Sequence, residues 1–427
     1  MKRIAFQTLG CKLNFSETST LSRQFGEEGF EQVEFSAPAD IYVINSCSVT
    51  QNAEKRCKEL IKKAMKKNPE AHVAIIGCFS QINPEEIRAI PGVDIVLGNA
   101  DKFNLFEHIQ QLRDKGETQT QDIAVEEPEK FVPGFSMDDR TRSFFKIQDG
   151  CDYFCAYCTI PLARGRSRSN NIAATIKTAT EIARTNIKEV VLSGVNIGDF
   201  GKHHGENFYG FLQELIQVKG LERIRISSIE PDLLSDEIIE LVAASDILMP
   251  HFHIPLQAGS DEVLKAMGRR YDTARFASRV ELIRKHMPHA CIAADLIVGF
   301  PAETDELFQQ SYDFVRKTDI SYVHVFTYSE RDNTRAVKYD TQIPVKERNL
   351  RSKKMQQLSA HKKDVFYHHN QGIESDVLWE KDNVKGFMHG FTANYIKVKT
   401  PFDKGKANTI EKVTLNLLDE DGVYKVG

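Results

Sequence analysis

The chain has 427 residues, 41% hydrophobic and 27% charged, with a net charge of −4. These proportions suit a globular protein of two to four domains and exclude a disordered or fibrous one. No run of 18 apolar residues exists, which excludes a helical membrane span.

The first ten residues lack the apolar stretch of a secretion signal, so a cytoplasmic protein is expected. Eight cysteines in such a chain point to a reducing compartment and to metal rather than disulfides.

Residues 1–114 alternate strand and helix. Strand-like runs end at Cys11, Cys47 and Cys78, and a helix is predicted over 53–67. There Ala53, Cys57, Leu60, Ile61, Ala64 and Met65 form one face, with Lys62, Lys63, Lys66 and Lys67 mostly opposite. This alternation implies an open parallel α/β sheet, whose ligands sit beyond the carboxyl ends of the strands. Cys11, Cys47 and Cys78 each follow a strand, so three thiolates converge on one sheet edge. The competing reading is three unrelated buried cysteines. Residues 115–140, rich in acids around Pro133 and Gly134, read as an exposed linker.

From 141 to 345 six strands (143–148, 189–193, 223–229, 251–256, 291–299, 322–328) alternate with helices, predicting a partial or full barrel with its active groups at the strand ends. The first strand leads into Gly150-Cys151-Asp-Tyr-Phe-Cys155-Ala-Tyr157-Cys158. Three soft thiolates in one loop suit a 4Fe–4S cluster and leave one iron open to a non-protein ligand. A structural zinc site is the alternative; it wants four closed ligands, and no fourth lies at a matching spacing.

Gly194 and Asn196 follow the second strand, Ser228 and Glu230 the third, and Gln257 the fourth. A glycine there lets backbone approach a ligand, and a carboxylate suits ribose hydroxyls or an amino group. Arg164, Arg166 and Arg168 come directly after the cysteine loop and read either as phosphate contacts or as a surface turn. Cys57 and Cys291 read as structural.

A basic helix is predicted over 346–365. Short strands at 375–380, 386–391, 395–399 and 412–418 then predict a small antiparallel barrel over 366–427. Residues 346–427 carry 15 Lys+Arg against 11 Asp+Glu, although the whole chain is acidic. That excess is either a footprint of polyanion binding or a solvated helix face.

Three strings around the first cysteines, Thr8-Leu-Gly-Cys11-Lys-Leu-Asn14, Asn45-Ser-Cys47-Ser-Val-Thr50 and Gly77-Cys78-Phe79, together with the 151–158 loop, resemble the radical S-adenosylmethionine methylthiotransferases over nearly the whole chain. The first string is most similar to the branch acting on N6-threonylcarbamoyladenosine at tRNA position 37. The isopentenyl-adenosine branch usually reads Tyr-Gly-Cys-Gln-Met-Asn there, and the ribosomal-protein branch Ser-Leu-Gly-Cys-Pro-Lys-Asn.

The resemblance implies a flavodoxin-like N-terminal domain, a radical barrel and a C-terminal RNA-binding TRAM domain, suggested by Gly390-Phe-Thr-Ala-Asn-Tyr395. It implies two 4Fe–4S clusters. One, on Cys151, Cys155 and Cys158, would cleave S-adenosylmethionine to the radical that takes hydrogen from carbon 2 of the adenine. The other, on Cys11, Cys47 and Cys78, would carry the sulfur to be methylated and transferred. Tyr157, Gly194, Asn196, Ser228, Glu230 and Gln257 match stretches that cradle the cofactor.

The implied partners are the tRNA anticodon loop, an electron donor and a sulfur source, with no membrane and no stable protein partner. The same chemistry on a ribosomal-protein aspartate, or an RNA-binding iron–sulfur protein without catalysis, are the competing functions.

Overall fold

The computed structural model describes residues 2–48, 51–115, 126, 128–137 and 141–426. The N-terminal part runs β1 (Arg3–Thr8), α1 (Lys12–Glu27), β2 (Glu31–Val33), β3 (Ile41–Ser46), α2 (Gln51–Lys67), β4 (His72–Gly77), α3 (Cys78–Ile82), α4 (Pro84–Arg88), β5 (Ile95–Leu97) and α5 (Leu105–Lys115). Its sheet has the order β2-β1-β3-β4-β5, all parallel. That is the flavodoxin-like order, in which the strand order reverses between β1 and β3. Every residue of β3 is buried, as a strand covered on both faces requires. On α2 the predicted apolar stripe holds: Cys57, Leu60, Ile61 and Ala64 pack under the sheet with Tyr42 and Ile75.

Part of the expected linker is not exposed. Within it, β6 (Gly134–Phe135) pairs antiparallel with β7 (Arg142–Lys146), and Pro128, Gly134 and Ser136 are buried. Phe135 packs against the barrel core beneath the Arg23 guanidinium, 4.5 Å from its ring centroid. Composition suggested exposure because the acids dominate, while the few apolar residues do the packing. Residues 116–125, 127 and 138–140 lie outside the described residues.

The central part continues with β8 (Gln148–Asp149), α6 (Ile160–Arg164), β9 (Arg168–Ser169), α7 (Ile172–Ala183), β10 (Glu189–Ser193), α8 (Phe208–Leu215), β11 (Arg223–Ile226), α9 (Asp236–Ala244), β12 (His251–Gln257), α10 (Asp261–Met267), α11 (Thr273–His286), β13 (Cys291–Val298), α12 (Asp305–Lys317) and β14 (Tyr322–Thr327). Parallel ladders β7-β10-β11 and β12-β13-β14 are joined by bridges Ile224–Leu248 and Ser228–His253. Six strands thus form a partial barrel, with the main hydrophobic core between strands and helices.

The basic helix is longer than expected. α13 (Val345–His369) lies along β14, where the Ser359 hydroxyl accepts from Val323 N–H at 3.0 Å and donates to its carbonyl at 2.7 Å. Two of its arginines are not available to a polyanion. Arg348 and Arg351 are each 4% exposed; Arg351 pairs with Glu303 at 2.8 Å and Asp305 at 2.6 Å, and Arg348 with Glu330 at 2.5 Å.

The C-terminal strands β15 (Glu374–Trp379), β16 (Phe387–Thr392), β17 (Lys397–Pro401), β18 (Ile410–Thr414), β19 (Leu417–Leu418) and β20 (Tyr424–Lys425) form one curled sheet, β18-β15-β16-β17-β20-β19. It is antiparallel except for β17 against β20, which pair in parallel. The sheet docks at the amino ends of the barrel strands. Arg142 donates to Tyr395 Oη at 3.1 Å and pairs with Glu380 at 2.8 Å, and Arg223 donates to the Asp376 carbonyl at 2.7 Å. Cys291 is fully buried in that junction.

Candidate active site

The three N-terminal cysteines are brought together by strand register. Thr8 pairs with Asn45 and Ser46 with Gly77, which levels the ends of β1, β3 and β4. Cys47 and Cys78 follow their strands directly, whereas Cys11 lies three residues past β1 and caps α1. Gly10 sits at φ +97°, and a Cβ on it would lie 2.8 Å from Cys47 Sγ, so the Cys11 turn backs closely onto Cys47.

Asn14 ties these turns together. Its amide donates to the Leu9 carbonyl at 2.7 Å and the Ser46 carbonyl at 3.0 Å, and its Oδ1 lies 3.8 Å from Cys11 Sγ. The Ser46 hydroxyl donates to the Ile76 carbonyl at 2.6 Å and accepts from Phe79 N–H at 3.2 Å, which fixes the Cys78 turn. Asn99 Nδ2 stands 3.6 Å from Cys78 Sγ.

The second triad is a local loop. Gln148 organises its base: Nε2 donates to the Gly150 carbonyl at 2.7 Å, and Oε1 accepts from Val195 and Asn196 N–H at 2.9 Å each. Gly150 has φ +68°, and a Cβ there would lie 1.9 Å from the Arg166 carbonyl oxygen. Backbone N–H groups of Tyr153 and Ile160 donate to Cys151 and Cys158 sulfurs, both at 3.4 Å. Arg269 donates to Cys155 Sγ at 3.1 Å and pairs with Glu230. Burial pushes the Cys151 and Cys158 thiols up to about 12.

The other predicted cofactor residues surround this loop unequally. Asn196 is buried; its amide donates to Asp199 at 3.1 Å, and its Oδ1 has no partner among the described residues. A Cβ on Gly194 would lie 2.7 Å from the Ile197 side chain, so only glycine fits. The Tyr157 hydroxyl accepts from Arg269 at 3.5 Å. Burial raises Glu230 above the ordinary carboxyl range of a glutamate, with Arg269 opposing.

Gln257, at φ +64° in a bulge of β12, lines a cavity of about 680 Å³ with Tyr157, Cys158, Asp295 and Phe326. Ser228 turns instead to His253, 3.2 Å from Nδ1, whose Nε2 lies 2.9 Å from Asp295 Oδ1.

A buried ionic network joins the two triads. Glu17, from α1, is fully buried and accepts from Lys102 at 2.5 Å, Lys146 at 2.8 Å and Arg164 at 3.0 Å. Asp149 accepts from Lys146 at 2.8 Å, Arg164 at 2.9 Å and Arg168 at 3.0 Å. Arg164 also donates to Asn14 Oδ1 at 2.5 Å, and Asn99 donates to the Ala163 carbonyl at 2.7 Å. Burial alone would raise the Glu17 pKa, but Arg164, Lys102 and Lys146 outweigh it and hold the carboxyl well below the usual range.

Of the three arginines read as phosphate contacts, Arg164 is therefore excluded, being 1% exposed, and Arg168 is tied to Asp149. Arg166 remains open. Asn14, Gln148 and Arg269 were not predicted. The first two stand inside the quoted strings or next to them, but Arg269 carries no signal beyond following Gly268.

Two sets of three soft thiolates, each lacking a fourth, fit the iron–sulfur donor set.

Residues 3–98 match the uncharacterized protein family UPF0004, and residues 145–315 match the Radical SAM superfamily. The chain is 38% identical to the threonylcarbamoyladenosine tRNA methylthiotransferase MtaB of Bacillus subtilis, covering 97% of this chain and 93% of that one. The chain belongs to the radical SAM methylthiotransferase family. Within it, the chain is also 33% identical to a tRNA-2-methylthio-N(6)-dimethylallyladenosine synthase of Clostridium perfringens, over 80% of this chain and 78% of that one. The fold is shared with the radical S-adenosylmethionine methyltransferase TsrM of Kitasatospora setae at a TM-score of 0.56 and 14% identity, covering 76% of this chain and 73% of that one.

Proposed function

We propose that this enzyme places a methylthio group on carbon 2 of N6-threonylcarbamoyladenosine at position 37 of tRNA. Cys151, Cys155 and Cys158 hold one 4Fe–4S cluster, and Cys11, Cys47 and Cys78 hold the other. The observation that carries this reading is the pair of three-thiolate sites held to one buried network. Loaded with both clusters and S-adenosylmethionine, the sites supply C–H activation and sulfur. The chain's residues bind and orient. Asn196 Oδ1 and Glu230 offer acceptors beside the loop, and the cavity next to Cys158 has a size suited to a nucleoside.

The threonylcarbamoyl branch is favoured by the fuller-length relative and by Thr8-Leu-Gly-Cys11-Lys-Leu-Asn14. Turnover requires an electron donor and a sulfur source, and the curled C-terminal sheet serves to hold RNA. No helix among the described residues is long and apolar enough to cross a membrane. Acting on tRNA, the enzyme would work in the cytoplasm.

The test is nucleoside mass spectrometry after anaerobic incubation of the reconstituted enzyme with S-adenosylmethionine, reductant and sulfide. One tRNA pool carries the threonylcarbamoyl base and the other the isopentenyl base. Product on the first pool alone is expected. Product on the second alone would keep the chemistry and correct the substrate. Formation of 5′-deoxyadenosine with no product on either would redirect the search to protein substrates.

A further inference from the structure

The segment between Cys151 and Cys155 ends in an exposed aromatic side chain. Phe154 is 50% exposed, unusual for a large apolar residue set among buried cysteines. Three exposed arginines from three separate elements are planted on this tip. The Arg166 guanidinium lies over the Phe154 ring, 4.7 Å from its centroid. Arg270 lies 3.9 Å from the Tyr153 ring centroid and donates to the Asp152 carbonyl at 2.9 Å. Arg335 donates to the Phe154 carbonyl at 2.6 Å.

These contacts use ring faces and backbone oxygens, so they hold the guanidinium groups without neutralising them. Carboxylates also reach the tip: Asp152 lies 3.9 Å from Arg166 and 4.0 Å from Lys202, Asp199 lies 3.9 Å from Lys202, and Asp232 accepts from the Tyr153 hydroxyl at 2.7 Å. Four cations, Arg166, Arg270, Arg335 and Lys202, therefore outnumber the three acids Asp152, Asp199 and Asp232.

An apolar ring ringed by preset guanidinium groups matches one ligand chemistry: an unpaired base that stacks, joined to phosphates that take the arginine forks. We propose that the Asp152–Phe154 tip is a seat for single-stranded RNA. A base next to the target nucleotide stacks on Phe154, and flanking phosphates bind Arg166, Arg270 and Arg335. This deepens the tRNA reading above and rests on it. It also gives the loop two directions: its sulfurs point inward to the cluster, and its tip grips the strand that brings the target base to the cavity.

The test measures binding of the cluster-loaded enzyme to an anticodon stem-loop carrying N6-threonylcarbamoyladenosine, by fluorescence anisotropy over a salt series. The double variant Arg166→Ala/Arg270→Ala is expected to bind about tenfold more weakly at moderate salt. Its log–log salt slope should be shallower by about 1.4, or ~0.7 for each lost phosphate contact on a single strand. Phe154→Ala should also lose about tenfold, with the slope unchanged and affinity restored in Phe154→Trp, because stacking is not ionic.

Arg166 and Arg270 lie outside the cysteine loop, so the double variant should keep the wild-type iron content and its result decides the matter. Unchanged affinity and slope in that variant, while the wild type binds and modifies the RNA, would overturn the seat alone. A wild type that neither binds the stem-loop nor forms product would overturn the seat together with the function it rests on.

Discussion

The two cysteine triads make the same donor set by opposite means. The 151–158 triad is one loop whose sulfurs are neighbours in sequence; Gln148, the Tyr153 and Ile160 amides and a glycine turn at 150 shape it, and Arg269, Arg270 and Arg335 brace it from farther along the chain. The N-terminal triad has no loop of its own. It exists because three parallel strands end level and because Asn14 and Ser46 stitch their turns together. A local site tolerates change elsewhere in the chain, whereas a topological one depends on residues far from its sulfurs. The buried network at Glu17 carries that dependence, since it is made by α1, α6 and the segments around β8.

The largest effect should separate the triads outright. Cys155→Ala is expected to abolish 5′-deoxyadenosine formation. Cys47→Ala should keep that formation and lose only the methylthio product. Both are read by mass spectrometry of one reaction. Retained cleavage in the first variant, or methylthio product in the second, would reverse the division of labour between the loops.

The same contrast decides what was legible in the sequence. The 151–158 loop could be read directly, because its spacing is its geometry. The N-terminal triad was legible because a continuous apolar, strand-like run ended near each cysteine, and the ends of parallel strands share an edge. Even there Cys11 stands three residues past its strand, a detail set by the turn at Gly10.

Arg164 could not be read correctly. An arginine just past the cysteine loop, in a run of alternating arginines, resembles a phosphate contact, and only the fold puts Glu17 and Asp149, 147 and 15 residues away, against it. Arg348 and Arg351 were obscured in the same way, since a run of basic residues does not show which of them faces Glu330 or Glu303. Buried charge is the residue class for which sequence periodicity gives the least information, because its partner can be anywhere.

Glu17→Gln sharpens the comparison at intermediate size. It leaves Lys102, Lys146 and Arg164 facing one another with Asp149 as their remaining carboxylate. Removing one partner from a buried ion cluster costs about 3–5 kcal/mol. Urea unfolding should show this as an earlier transition. Iron analysis and electron paramagnetic resonance should show selective loss at the N-terminal site, with the 151–158 signal kept. Equal loss of both signals would mean that the network holds the whole barrel rather than the topological site.

The smallest effect is on pH dependence, and its sign follows from the same carboxylate. Burial pushes the Glu17 pKa up, but Arg164, Lys102 and Lys146 overcome that and leave it below its unfolded value near 4.3. Asp149 is held low by Lys146 and Arg164 against the same burial. With folded values depressed, the unfolded chain binds more protons on acidification. The stability from these groups is therefore complete above the unfolded carboxyl range and drains away as the pH falls through it.

Melting temperature should accordingly fall between about pH 5 and pH 3 more steeply in the wild type than in Glu17→Gln, which has one fewer depressed carboxyl to titrate. Parallel curves would place the acid sensitivity in the surface ion pairs. Converging curves would place it in the strut that holds the N-terminal cysteines opposite the radical loop.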